Sequence, residues 1–104
     1  NRVRFSVDDQ QGHPALLVTI SNQSKKEIGV RYQKNDQPKD ERFDVISSAL
    51  MDIDKSFKPM INRQGNVTWI GCLDIANRLK DTDTFIHETK GILDKVVESM
   101  REIL

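Results

Sequence analysis

The stretch from Asp81 to Leu104 constrains this chain more than any other, because it reads as one long helix with an apolar stripe too wide to leave in water. Ile86, Leu93 and Met100 recur every seven residues, Val96 and Ile103 fill the alternate positions, and Phe85, Ile92, Val97 and Leu104 flank the seam. A stripe of that width needs a sheet or a partner chain as its opposing surface. The central seam is expected to face the rest of the chain. The flanking four, Phe85, Ile92, Val97 and Leu104, are the residues expected to meet a partner.

The remainder of the sequence supplies the sheet. Val3, Phe5 and Val7 alternate with Arg2, Arg4, Ser6 and Asp8, the period of a half-buried strand. A turn punctuated by Gly12 and Pro14 leads into a second strand over 15–21 with Leu16, Val18 and Ile20 on one face, so the two are expected to form a hairpin. Ile28, Val30 and Tyr32 mark a third strand, and 35–40 reads as a polar surface loop. Asp40 is the expected N-cap of a helix carrying Phe43, Ile46, Leu50, Ile53 and Phe57 on one face and ending near 54–56, with Glu41 in its first turn. Pro59 precedes a short strand at 60–62 that belongs near an edge, since proline has no ladder donor. The turn Arg63-Gln64-Gly65-Asn66 then opens a strand over 67–73, in which Gly71 marks a bulge or a close contact. For 73–80 the pattern leaves a short helix open, with Ile75, Ala76 and Leu79 facing inward. Asp81, Thr82 and Asp83 offer caps for the last helix.

Three strands, a helix, two strands and a helix, with short turns between neighbours, predict an α+β fold: a mostly antiparallel sheet of about five strands with both helices on one face. With 104 residues and 37% hydrophobic content the chain holds one core, so 1–104 is expected to be a single domain. It enters a strand pattern directly after Asn1, from which we expect a module of a longer chain.

Charge and cysteine content narrow the chemistry. Sixteen basic residues balance sixteen acidic ones, so no whole-molecule field favours nucleic acid or an anionic membrane, and electrostatic binding must come from a local patch. Cys72 is the single cysteine, which excludes an intrachain disulfide and a zinc site of several thiolates and suits a reducing compartment. It is expected to be small, buried and inert. Asn22-Gln23-Ser24 and Asn66-Val67-Thr68 match the glycosylation pattern, but with no signal peptide to support secretion they carry little weight. No apolar run approaches a membrane span, so a soluble, cytoplasmic protein without a membrane partner is expected.

Catalytic patterns are weak throughout. Asp81-Thr82-Asp83 and the pair Asp52 and Asp54 sit at helix ends, where solvated or capping carboxylates are the ordinary state. Glu88-Thr89-Lys90 has a nuclease-like E-x-K spacing but falls within a helix, and no E-x-K strand follows Asp8-Asp9. His13 and His87 have no spaced partners for a metal, His87 being placed at the polar margin of its helix. Neither a cofactor nor a metal is expected. One constellation remains: Arg2, Arg4 and Arg31 on the polar face of the sheet with Lys25, Lys26 and Lys34 near its ends, a set that could hold an anion or a nucleic-acid backbone. Thr19, Ser21 and Gln33 share that face. The ordinary role of such a face is solvation, and it shows no aromatic arranged for base stacking, since Phe5 and Tyr32 belong to the other side.

The order of strands, helix, a Trp-bearing strand (Val67-Thr68-Trp69-Ile70-Gly71-Cys72-Leu73) and a closing helix resembles the C-terminal accessory segment of bacterial PD-(D/E)XK-type defence nucleases. The nuclease motif itself is absent, so the resemblance implies an accessory role in a larger protein. The function expected from the residues is therefore a non-catalytic protein-interaction or oligomerisation module, binding a protein partner or itself as a homodimer. A nucleic-acid-associated accessory domain is the alternative.

Overall fold

The computed structural model describes residues 2–22, 26–34, 36–76 and 82–104; the side chains of residues 2, 22 and 82–85 are outside that description. Among the described residues six strands and two α-helices follow in chain order: β1 (Arg2–Asp8), β2 (Pro14–Asn22), β3 (Lys26–Tyr32), β4 (Gln37–Pro38), α1 (Phe43–Ile53), β5 (Lys58–Ile61), β6 (Asn66–Asp74) and α2 (Thr82–Ile103). The α+β class, the antiparallel sheet and the two helices are as the sequence predicts. The addition is β4, two residues of the expected loop that pair with Val67 and Asn66 of β6.

The sheet runs β1-β2-β3-β6, with β4 extending the β3 side of β6 and β5 pairing along its other side. β1 and β2 form the expected hairpin, closed by Asp9: its carboxylate accepts from the amides of Gln11 (2.9 Å) and His13 (3.0 Å). These bonds, His13 first, hold the Asp9 carboxyl below its ordinary value. Gly12 takes the positive φ (80°) that the turn needs.

Leu16, Val18, Ile28, Val30 and Leu73 project from the sheet to meet Phe43, Ile46 and Leu50 of α1 and Val96 and Met100 of α2 in one buried cluster. Both helices thus cover one face. The last helix departs from the seven-residue seam at its start: Ile86 is 58% exposed, and Leu93 is only half-buried. Burial instead centres on Val96 and Met100, where the helix crosses the core. The cap at residue 81, the side chain of Phe85 and the inward residues expected at 77–80 lie outside the described residues.

The start of α1 also differs from expectation. Its N-cap is Arg42, which makes no capping bond with its side chain, and the acid of its first turn is Asp44 rather than Glu41. Asp40 stands before the helix and accepts from the Arg42 amide (2.9 Å) and the Tyr32 hydroxyl (2.7 Å), joining the end of β3 to the start of α1. Phe57 follows the helix in the chain yet is fully buried, filling the core from the approach to β5.

Candidate functional site

Register places the predicted arginines. On the face away from the helices, Arg4 is paired with Thr19, Thr19 with Gly29, and Gly29 with Cys72, across β1, β2, β3 and β6. The neighbouring row is Arg2, Ser21, Glu27 and Asp74, and the row on the other side is Ser6, Leu17 and Arg31. Arg31 therefore shares the face with Arg4 but stands two strands and one row away, roughly 12 Å by ordinary sheet spacings. Its guanidinium donates to the carbonyl oxygens of Tyr32 (3.0 Å) and Gln33 (3.3 Å). Glu27 and Asp74 alternate with the cations, so the face carries both signs. Lys26 is half-buried at the end of β3 and Lys34 is exposed; Lys25 and the Arg2 side chain lie outside the described residues.

This face is not the uniformly solvated surface that the strand pattern predicts. Thr19 is 3% exposed and Ser21 5%. The indole of Trp69 lies over Gly29, where a Cβ would overlap its ring. Trp69 reaches this side because β6 carries two irregularities against β5: Lys58 pairs with Cys72, Met60 with Trp69 and Ile61 with Val67, so β6 spends an extra residue at each step. The extra residues reverse the alternation, leaving Val67, Ile70 and Leu73 in the core and Trp69 outside. The strand pattern places no aromatic arranged for base stacking on the arginine-bearing face; the structure puts a half-buried tryptophan there, packed over Gly29. Strand periodicity alone conceals such a residue, because a bulge is invisible in the pattern it interrupts; Gly29, the small residue midway along β3, was the available signal.

Cys72 is corrected in the same way. It is half-buried on the outer face rather than in the core, and its thiol donates to Glu27 Oε2 at 3.2 Å. Lys26, Glu27, Lys58, Cys72 and Asp74 border a shallow depression of about 470 Å³ between β3, β6 and β5. The histidines are elsewhere, His13 in the first hairpin and His87 exposed on α2. Among the described residues no three His, Cys, Asp or Glu side chains are grouped to hold a metal ion.

The long edges of the sheet, β1 and β5, differ in length, composition and regularity. β5 is four residues long, contains Pro59 and Lys58, and meets β6 with two register shifts, all features that discourage further pairing. β1 is seven residues long, holds its register with β2 from Arg2 to Val7, and contains neither proline nor lysine. Among the described residues no strand pairs with its outer edge. Val3, on the core-facing side of β1, is 57% exposed, so the helical layer stops short of that end.

The predicted partner residues of α2 fall along the margins of the core. Ile92 and Leu104 are half-buried against the core cluster and Val97 is half-buried beside Val96; the Phe85 side chain is outside the described residues. Among the described residues no helix is long and apolar enough to cross a membrane. No family model, curated protein or solved structure matches the chain.

Proposed function

We propose that the chain is a non-catalytic interaction module that joins partners by extending its sheet at β1. The open seven-residue edge of β1 carries this reading, because regular strands present unpaired amides and carbonyls that an incoming strand satisfies, while β5 is blunted. Labelled extended heptapeptides with alternating apolar residues and acidic, neutral or basic ends are the probe. Val3→Pro and Arg4→Pro form the control pair, since neighbouring amides of a strand point to opposite sides and one of the two faces outward. Fluorescence anisotropy should register binding that is lost in the variant whose melting temperature stays near the parent's. Absence of binding across the peptide set, or binding indifferent to both prolines, would contradict the proposal.

A second reading, contact with nucleic acid, rests on the presence of Trp69 on the same face as Arg4 and Arg31. Trp69 is the only tryptophan, so its fluorescence reports directly on that face. Under this reading single-stranded oligonucleotides change the emission at low salt, and Arg4→Gln lowers the slope of log affinity against log salt by about 1. Unchanged emission at low salt would remove it.

A further inference from the structure

We infer that the strand received by β1 is β1 of a second copy of this chain, paired antiparallel about a two-fold axis through Phe5. The inference rests on β1 being the interaction edge and adds the identity of the occupant. Charge and register carry it. With Phe5 opposite the partner's Phe5, Arg4 stands opposite the partner's Ser6, Val3 opposite the partner's Val7, and Arg2 opposite the partner's Asp8. The sequence Arg-Val-Arg-Phe-Ser-Val-Asp is thus self-complementary when reversed: basic at one end, acidic at the other, apolar at matching positions on the core side. Arg4 lies diagonal to the partner's Asp8 on one side and to the partner's Arg4 on the other, so the facing Arg2–Asp8 pairs carry the charge match.

The rest of the fold accommodates the pairing. A two-fold axis perpendicular to the sheet keeps both helical layers on one side, and α2, which packs against β1, meets its counterpart there. Val3 gains the partner's Val7 as an apolar neighbour across the new ladder. The arginines that would guard an edge against indiscriminate strands become selective here, because they tolerate a strand bearing an acid at the facing position and repel one that does not. Moving the pairing by two residues weakens it either way: with Phe5 facing the partner's Val3, Arg4 faces the partner's Arg4, a like-charge pair, and with Phe5 facing the partner's Val7, Arg4 faces the partner's Asp8 but the ladder shortens and Arg2 has no facing residue.

Sedimentation equilibrium over a wide concentration range tests the inference on four chains: the parent, Asp8→Arg, Arg2→Asp, and the double exchange Arg2→Asp with Asp8→Arg. The parent should dimerise. Each single exchange should weaken dimerisation about tenfold or more, because the symmetric interface contains the altered pair twice. The double exchange should restore it, since opposite charges then face each other again with their signs swapped between the two strands. Thermal melts of the dilute chains confirm that each variant folds. A parent that stays monomeric, or a double exchange no better than the singles, overturns the second-copy inference. The peptide experiment separates the two levels: peptide binding at β1 by a strictly monomeric parent keeps the interaction edge and rejects only the self-pairing.

Discussion

Tyr32 and Asp40 show how one hydrogen bond organises the junction between sheet and helix. The phenol is buried in the core at its ring and donates to Asp40 at 2.7 Å, while the same carboxylate oxygen accepts from the Arg42 amide. Burial first, then the neighbouring carboxylate, pushes the Tyr32 hydroxyl up to about 12 from the ordinary 10.0. Because the folded protein holds this proton more tightly than the unfolded chain, its stabilising contribution is complete below pH about 10 and declines as pH rises through about 12. Tyr32 is the only tyrosine, so tyrosinate absorbance follows it alone. The folded chain should titrate near 12, and Asp40→Asn should lower the midpoint; an ordinary midpoint in the folded parent would contradict the contact. The sequence made the inward orientation of Tyr32 legible through its alternation with Ile28 and Val30. It did not disclose the bond to Asp40, because Asp40 in that position equally suits a helix cap, and only the path of the chain between β3 and α1 decides between them.

At the scale of elements, α2 illustrates how a correct period yields a seam that holds over only part of the helix: Leu93, Val96, Met100 and Ile103 lie in or against the core and Ile86 does not. A straight helix of 3.6 residues per turn drifts by about 20° for each seven-residue step, so residues repeating every seventh place do not stay over the same surface. Met100 and Val96 lie fully buried while Ile86, two repeats before Met100, faces solvent. Met100→Ala should therefore destabilise the fold by about 2 to 5 kcal/mol and Leu93→Ala by less, as measured by chemical denaturation. Gly91 is exposed with open space around it, so Gly91→Ala should raise stability by about 0.5 to 1 kcal/mol. A larger loss at Leu93 than at Met100, or a loss at Gly91, would mean that the helix is rotated from this placement. Strands were legible wherever alternation is regular, as in β1 to β3. In β6 the two extra residues broke the alternation, and with it the means of placing Trp69 and Cys72 from sequence.

For the whole molecule, the decisive fact is the order of strands, which no local pattern contains. Pro59 marks β5 for an edge from sequence, whereas the residues of β1 read equally well as an interior strand or an edge until the strand order is known. Once β6 occupies the sheet interior beside β3, the borders are β1, β5 and the two-residue β4, and their differing length, proline content and regularity make β1 the one suited to pairing. The arginine set was legible as a shared face but not as a site: register spreads it across the sheet, interleaves it with Glu27 and Asp74, and puts Trp69 in its midst. Hydrogen–deuterium exchange of the parent chain at rising protein concentration tests the role of β1 most directly. The account predicts that outward-facing amides of β1 exchange rapidly in dilute solution and slow as concentration rises, with β5 amides unaffected. Exchange in β1 that stays rapid at every concentration, or concentration-dependent protection confined to β5 or α2, would contradict it.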